Sequence, residues 1–326
     1  MKILMVSSEW PSEKNPQSAP FVVRQFNKLR QRGIDVDLVH VRGSGNILNY
    51  INNWLKVRRV LNNNTYDLIH AQWGQSALTV FFSGLPIVVT YRGDDLEGTI
   101  NAKGQHGLNS YILRFVSGIV SLFSNFNIVV SSHLISKLWS RTTPIAIIPS
   151  GIDFSIIPAI TKSEARQKFG FTDGKKIVLF PYNTSIVRKQ FSLVKQSIDL
   201  LPDNLRSEVE LFVLYGVPQQ IVLECMIASD FLIFASLHEG SPNVIKEAIA
   251  CNLPIISVDV ADVRDRIGLI PGCAIVNSYN PREISKALEN LFFYDYCNYQ
   301  SRSFVANLDE DILVEKLISV YKKVLN

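Results

Sequence analysis

The stretch FLIFASLHEGSPNVIKEAIACNLPIISVD, residues 231–259, contains two apolar runs separated by a loop and a helix-like segment. Its first six and last six residues are apolar at nearly every position, as strands covered on both faces must be. Between them the sequence predicts a helix over 242–251, with Ser241 as a good N-cap and Pro242 as a good first residue. Strand, helix and strand in this order predict parallel strands in one sheet.

The same alternation of strand-like and helix-like segments extends along the whole chain and predicts an α/β protein with doubly wound parallel sheets. Strand-like runs lie at 2–7, 35–41, 67–71, 86–90, 127–131, 145–149, 176–181, 209–215, 231–236, 254–259 and 273–277. Helix-like segments lie at 20–33, 111–125, 189–200, 219–228, 242–251, 281–293 and 309–325.

Two α/β domains in tandem are expected, because the strand–helix pattern restarts after residues 150–158, a Gly- and Pro-bearing stretch without periodicity. We expect a first domain over 1–150 and a second over 151–308. The remaining segment, 309–326, reads as one amphipathic helix that could pack back on the first domain. Ligands of such sheets bind beyond the carboxyl ends of the strands, so the cleft between two facing domains is the expected site.

Charge is unevenly divided within the net +4 of the chain. Residues 1–150 hold 15 basic and 8 acidic residues, whereas residues 151–326 hold 18 and 21. This asymmetry indicates either an anionic partner of the first domain or ordinary surface variation. A nucleic acid partner is not expected, since the basic residues follow no nucleic-acid motif.

The apolar stretch 110–132 predicts a buried helix followed by a strand, because it is interrupted by Arg114 and by several Ser and Asn. No segment predicts a transmembrane helix. None of the four cysteines forms a C-x-x-C pair, which favours buried or inert thiols in a reducing compartment. A cytoplasmic protein is therefore expected, and no metal site.

Two acids flank the predicted helix at 242–251. Glu239 precedes it and Glu247 lies within it, and the first turn of such a helix leaves backbone N–H groups that bind anions. Acids on either side can accept hydrogen bonds from the hydroxyl groups of a sugar. The alternative is purely structural: Glu239 would be a solvated loop acid, and Glu247 would pair with a lysine.

Residues 228–267 resemble the donor-binding segment of family 4 glycosyltransferases, which are retaining, metal-independent enzymes of the GT-B fold. The hallmark of that family is E-G-x-P-x-x-x-x-E-A. The residues that match it are Glu239, Gly240, Pro242, Glu247 and Ala248. The resemblance implies the GT-B fold, in which two Rossmann-like doubly wound domains face each other across a cleft.

The resemblance also implies roles for individual residues. Glu247 would hold the ribose of a nucleotide-sugar, Glu239 would contact the transferred sugar, and backbone groups of the following loop would face sugar and phosphate. Lys189 and Arg188 would neutralise the diphosphate, a role that suits cations beside a departing anion. The expected catalytic set is thus Glu239, Lys189 and Arg188, and the expected donor-binding set is Glu247, Gly240, Ser241, Pro242, Asn243 and Val244. No metal or other cofactor is expected.

The chain departs from the family pattern at three places. Arg92 stands where the family often has a histidine; an arginine cannot act as a base near neutral pH, but it could bind phosphate or an acceptor hydroxyl. Asn183 occupies the approximate place of an arginine that usually assists the diphosphate lysine. The segment 10–21 lacks the glycines expected after the first strand.

Three residues are candidates for the acceptor side of the site: Arg92, Asp94 and His70. His70, at the end of a buried strand, could equally be a satisfied core histidine. Asp94 could line the cleft or cap the next segment.

The resemblance implies a hexosyltransferase-like enzyme that moves a sugar from a nucleoside-diphosphate sugar to an acceptor hydroxyl without a protein nucleophile. The expected acceptor is a glycan or a polyprenol-diphosphate-linked glycan of surface-polysaccharide or lipopolysaccharide assembly, with possible peripheral contact at the cytoplasmic face of the inner membrane. Two alternatives stay open: a sugar-nucleotide-binding protein with impaired catalysis, and a nucleotide-sugar epimerase of the same architecture. A nicotinamide-dependent dehydrogenase is least favoured, because no G-x-G-x-x-G follows a strand.

Overall fold

The computed structural model describes residues 1–13, 15, 18–42, 47–101, 104–297 and 299–326, and for residue 47 the backbone only. The chain forms two compact units. The first combines Met1–Asn101, Gln105–Gly151 and the C-terminal segment Glu310–Asn326, and the second is built on Ile152–Asp309.

The first unit is a six-stranded sheet in which all the strand pairs are parallel. Its strands, in the order β2-β1-β3-β4-β5-β6, are numbered along the chain. They are β1 Lys2–Ser7, β2 Asp35–His40, β3 Leu68–Gln72, β4 Ile87–Tyr91, β5 Phe126–Val129 and β6 Ile145–Ile147. Because the strands are parallel, their carboxyl ends share one edge of the sheet.

Helices cover both faces of this sheet, as the alternation along β1 requires: Ile3 and Met5 face one core, and Leu4 and Val6 face the other. The first core also contains residues of α1 and α13, and the second contains residues of α2 and α5. The helices of this unit are α1 Pro20–Gln31, α2 Ile47–Asn63, α3 Gly74–Ala77, α4 Asp94–Glu97, α5 Leu108–Phe123 and α13 Glu310–Leu325.

The second unit is a five-stranded parallel sheet in the order β11-β10-β9-β7-β8, also with apolar cores on both faces. Its strands are β7 Lys176–Phe180, β8 Val209–Val213, β9 Phe231–Phe234, β10 Ile255–Val258 and β11 Ala274–Val276. Its helices are α6 Lys162–Phe169, α7 Phe191–Asp199, α8 Asp203–Arg206, α9 Gln219–Ala228, α10 Asn243–Ala250, α11 Val263–Ile267 and α12 Pro281–Phe292.

The predicted fold class, α/β with doubly wound parallel sheets, is confirmed. All eleven predicted strands are present with small shifts at their ends, and so are the seven predicted helices. The sequence analysis did not predict α2, whose polar residues weaken its periodicity. It also missed five helices of at most eight residues, Gly74–Ala77, Asp94–Glu97, Lys162–Phe169, Asp203–Arg206 and Val263–Ile267. Three residues of the segment 10–21, numbers 14, 16 and 17, lie outside the described part of the chain.

One prediction about burial is wrong. The helix expected to be buried near 111–125 is present as α5, but its outer face exposes large apolar side chains, including Tyr111 and Phe115, each 56% exposed. Among the described residues no helix has both the length and the apolar character that crossing a bilayer requires.

Candidate functional site

Lys189 follows β7 at the end of a short 3-10 turn, Val187–Lys189. The residue is buried, with 6% of its surface exposed. Its ammonium nitrogen lies 3.9 Å from the centroid of the Tyr182 ring and 5.3 Å from that of Phe234. Aromatic faces stabilise a cation that has lost water, but a buried ammonium also needs a counter-charge.

Glu239 supplies that counter-charge from the loop after β9. Its Oε1 pairs with Lys189 Nζ and accepts a hydrogen bond from Ser236 Oγ at 2.7 Å. Its Oε2 lies 3.9 Å from Arg188 NH1, which is longer than a hydrogen bond. Because β7 and β9 are neighbours in the sheet, their exits bring together groups 50 residues apart in sequence. The three predicted catalytic residues thus form one cluster.

Tyr182 contacts Lys189 of this cluster and lies within electrostatic range of Glu247. Burial raises the pKa of the Tyr182 hydroxyl well above its usual value, and the charges of Glu239 and Glu247 act in the same direction. The phenol therefore stays neutral near pH 7, and both glutamates lie close enough to influence it. The sequence analysis missed Tyr182, although an aromatic residue directly after a predicted strand, beside the candidate Arg188 and Lys189, was an available signal.

The helix α10 carries the second acid of the motif. It begins at Asn243 and includes Glu247, which is half-buried. Within the described part of the chain, the Oδ1 atom of Asn243 is buried without a hydrogen-bond partner. The side chain of Val244 packs into the apolar core, so only its backbone remains for a ligand. The first turn thus offers an unused acceptor as well as the free N–H groups of a helix start.

The prediction that Ser241 caps this helix is wrong. The N-cap position is Pro242, and no side chain caps it. The hydroxyl of Ser241 instead donates to Asp262 Oδ2 at 2.8 Å, and Arg266 Nε donates to the same oxygen at 2.9 Å. The hydroxyl therefore donates its proton to this carboxylate, and Ser241 Oγ accepts no backbone N–H of the first turn of the helix. Gly240 and Pro242 are buried in the same loop.

Asn183 also has a local structural role. Its side-chain oxygen accepts a hydrogen bond from the backbone N–H of Ser185 at 2.9 Å, and its carbonyl accepts one from Ile186. These bonds shape the turn that leads to Arg188 and Lys189.

Arg92 follows β4 in the first unit. Its Nε and NH2 groups donate to Gln72 Oε1 at 3.2 and 2.6 Å, and its NH1 donates to Ser150 Oγ at 3.0 Å. Its guanidinium lies 4.6 Å from the ring centroid of Phe21 and 5.5 Å from that of Trp73. Burial lowers the pKa of Arg92 to about 10, so the side chain remains charged at neutral pH. These three hydrogen bonds of the cation go to neutral oxygens.

Asp95 organises the loops around Arg92. This fully buried carboxylate accepts hydrogen bonds from the backbone N–H groups of Gly74, Arg92 and Gly93, each at 3.0 Å. Burial raises the pKa of Asp95 to about 6, against the opposing effect of those bonds. Gly93 has a φ of 120°, which disfavours a side chain there. The candidate Asp94 is the half-buried first residue of α4, and its neighbour Asp95, rather than Asp94, ties the loops together.

His70 lies in the core of the first unit. Its Nδ1 is 2.7 Å from the hydroxyl of Tyr321, and its Nε2 is 2.8 Å from Thr90 Oγ1. Burial and the charge of Arg92 lower the pKa of His70 to about 3. With both ring nitrogens occupied and no exposed surface, the geometry favours the structural interpretation of His70 over an acceptor-side role.

Comparisons with known proteins agree with this architecture. The profile of the family described as Glycosyltransferase Family 4 matches residues 28–155, and that described as Glycosyl transferases group 1 matches residues 195–292. A curated relative, the putative teichuronic acid biosynthesis glycosyltransferase TuaC of Bacillus subtilis, is 24% identical over 230 residues, which cover 62% of this chain. The chain spans only about half of that relative, 55% of its length.

Two solved structures are similar over nearly their whole length. The sucrose-phosphate synthase from Thermosynechococcus elongatus has a TM-score of 0.80 at 13% identity, with 99% of both chains covered. Alr3699/HepE from Anabaena, crystallised with UDP-glucose, has a TM-score of 0.72 at 15% identity, with 99% of this chain and 100% of that chain covered. At such identities the likeness concerns the fold.

Proposed function

We propose, since the chain belongs to the family 4 type of glycosyltransferases with the two-domain GT-B fold, that it transfers a sugar from a nucleoside-diphosphate sugar to an acceptor hydroxyl. The observation that carries the proposal is the cluster of Lys189, Arg188 and Glu239, with Glu247 near the same tyrosine. In this proposal cationic side chains, rather than a metal ion, balance the diphosphate.

The cluster suits the departure of a diphosphate. Lys189 and Arg188 provide positive charge where the leaving group becomes more negative, and the first turn of α10 provides N–H groups. Because the aromatic rings exclude water around Lys189, its charge acts through a medium of low dielectric. No nucleophile on the protein is required if the acceptor attacks from the face that the diphosphate leaves. The departing phosphate then takes the proton of the acceptor hydroxyl, and the sugar keeps its anomeric configuration.

The two glutamates suit the hydroxyl groups of the donor. A carboxylate has about four lone-pair positions, and the Oε1 atom of Glu239 already accepts from Lys189 and Ser236. Its Oε2, 3.9 Å from Arg188, is placed to accept a bond from a sugar hydroxyl. Glu247 would bind the ribose, and the buried Oδ1 of Asn243 would accept a further hydrogen bond from the sugar nucleotide.

A UDP-sugar is the first donor to test, because the Anabaena structure contains UDP-glucose. The acceptor is proposed to be a glycan or a polyprenol-diphosphate-linked glycan of cell-surface polysaccharide assembly. The Bacillus relative is named for teichuronic acid biosynthesis, which belongs to the same broad class.

The test is a panel of UDP-, GDP-, ADP- and dTDP-sugars, followed by binding and by release of nucleoside diphosphate with glycan and lipid-linked acceptors. We expect one donor to bind, and Glu247→Ala to weaken it about 10- to 100-fold, since a hydrogen bond to a charged group is lost. Glu210→Ala, which removes an exposed acid of β8, is the matched control. No binding by any donor, or equal binding by Glu247→Ala, would contradict the proposal.

The product separates the remaining possibilities. If the configuration is retained, the NMR coupling constant of the anomeric proton in the product shows the same anomeric configuration as the donor. An inverted product would contradict the retaining mechanism but not the proposal that the chain is a glycosyltransferase. Binding without turnover on the whole acceptor panel would favour an impaired binding protein. Conversion of the donor to an epimer without an acceptor would identify an epimerase.

A further inference from the structure

Helix α5 of the first unit buries its small residues and exposes its large ones. The buried residues are Ser110, Ser117, Gly118, Val120 and Ser121. The exposed large apolar residues are Leu108, Tyr111, Ile112, Phe115, Leu122 and Phe123. A helix that packs on a core and faces water is expected to show the opposite arrangement.

Close packing on the inner side explains this arrangement. A Cβ at Gly118 would collide with the ring of Trp139, and a Cβ at Gly74 would collide with Ser117. Small residues are therefore needed where α5 contacts its neighbours, and its bulky residues lie on the other side. Trp139, itself 45% exposed, packs edge-on against Phe115 at 5.3 Å between centroids.

The exposed face of α5 borders an open groove with a volume of about 860 Å³. Its apolar lining includes Tyr111, Phe115 and Trp139, and the charged residues of its lining are the exposed Arg114, Lys137 and Arg141. The sequence from 98 to 152 contains no Asp or Glu. We call the exposed side chains of α5, together with Trp139 and these three cations, the basic apolar surface.

Helix α2 packs on the same face of the sheet and repeats the composition. Its exposed apolar residues are Leu48, Ile51, Trp54 and Leu55. Residues 38–66 contain no Asp or Glu but include exposed Lys56 and Arg59. Phe81, in the segment before β4, contacts both helices. Arg58 NH2 of α2 donates to its carbonyl at 2.8 Å, and its ring centroid lies 6.1 Å from that of Phe123 of α5.

We propose that the basic apolar surface docks on a lipid bilayer that contains anionic phospholipids. Aromatic and aliphatic side chains would enter the boundary between headgroups and acyl chains, where tryptophan and tyrosine are favoured. The basic residues would contact lipid phosphates. Each such residue would raise the partitioning of the protein from water to the membrane roughly fivefold. A second copy of the chain fits less well, because two surfaces that carry only positive charge repel each other.

This inference goes beyond the sugar transfer and does not depend on it. Vesicle binding requires neither donor nor acceptor, so a failure here would leave the transferase proposal unaffected. Conversely, a chain that transfers no sugar could still bind vesicles.

The experiment is co-sedimentation of the full chain with phosphatidylcholine vesicles that contain or lack about 30% phosphatidylglycerol, at low ionic strength. We expect binding to the anionic vesicles, little binding to the neutral ones, and loss of most binding as salt is raised toward about 1 M. The variant Arg114→Gln/Lys137→Gln/Arg141→Gln should reduce partitioning on the order of 100-fold. The single variant Phe115→Ser should also bind anionic vesicles more weakly than wild type, because apolar contact with the bilayer is lost.

The matched control is Lys316→Gln/Lys322→Gln/Lys323→Gln, which removes the same charge from exposed positions of α13. It should bind at least tenfold better than the triple variant of the basic apolar surface. Circular dichroism melts test whether each variant is folded. The proposal is overturned if the folded wild-type chain ignores anionic vesicles, if both triple variants lose binding equally, or if light scattering shows a dimer that Phe115→Ser abolishes without any vesicle binding.

Discussion

Each unit holds a cation beyond the end of a strand, the buried Lys189 and the half-buried Arg92, but the two charges are compensated in different ways. Lys189 in the second unit pairs directly with the carboxylate of Glu239. Arg92 in the first unit bonds to the neutral oxygens of Gln72 and Ser150, while the nearby Asp95 accepts backbone N–H groups. In the proposed function the direct pair is a set of charges that a bound donor would rearrange, whereas the Arg92 cluster holds two loops in a fixed shape.

The largest expected effect tests the chemical role of the directly paired cation. Lys189→Ala should lower turnover about 10²- to 10³-fold, because the charge proposed to stabilise the departing diphosphate is lost. Release of nucleoside diphosphate from the donor found in the panel measures the effect. Lys195→Ala, at an exposed position of α7, is the control. Turnover within threefold of wild type in Lys189→Ala would contradict the assignment.

The second prediction compares the two clusters by double-mutant cycles. Glu239→Gln should cost about 3 kcal/mol of unfolding free energy, because it leaves the buried Lys189 without its counter-charge. The double variant Lys189→Met/Glu239→Gln should recover about 2 kcal/mol of that loss.

The corresponding cycle in the first unit, Arg92→Met and Asp95→Asn, should give a coupling below about 1 kcal/mol, because the two side chains share no hydrogen bond in the structure. Denaturant unfolding measures all the variants. Equal couplings in the two units would remove the distinction between the clusters.

The strands could be predicted from the sequence because strands buried on both faces are apolar throughout. The contact between Lys189 and Glu239 could not, because it depends on β7 and β9 being neighbours, and the order of strands in a sheet is not written in their order along the chain. The role of Asp95 was also hidden, since Asp94 and Asp95 look alike until the backbone around them is known.

The exposure of α5 was unpredictable for a related reason. Periodicity shows that a helix has two faces, but it does not say whether the small or the large residues pack inward. That choice depends on Trp139 and on the loop at Gly74, which reach α5 only in the folded chain. The prediction that Ser241 caps α10 failed similarly, because the N-cap position falls on Pro242, and the bond from Ser241 to Asp262 depends on the folded loop.

A third prediction concerns pH in the first unit. His70 stays neutral when folded, since burial lowers its pKa to about 3, whereas the unfolded chain binds a proton below about 6.5. The stability that depends on neutral His70 is therefore present above pH 6.5 and is lost as the pH falls toward 3, at up to about 1.4 kcal/mol per pH unit. In His70→Gln this slope should be smaller. Denaturant unfolding at a series of pH values measures the slope, and an unchanged slope in His70→Gln would contradict the prediction.

The smallest expected effect concerns the loop before α10. Ser241→Ala should cost about 1 kcal/mol of unfolding free energy, because one hydrogen bond to the buried Asp262 is lost. Thermal unfolding measures it, with Ser207→Ala, at an exposed serine, as the control. A cost equal to that of the control would indicate that the Asp262 contact is not important for the loop.

The central claim is that Lys189 holds the diphosphate of a sugar nucleotide. The most direct measurement is calorimetric titration of wild type and Lys189→Gln with the nucleoside diphosphate that the panel selects and with the matching nucleoside. The account predicts that Lys189→Gln weakens the diphosphate about 10- to 100-fold and leaves the nucleoside unchanged. Equal affinities of the two proteins for the diphosphate would contradict it.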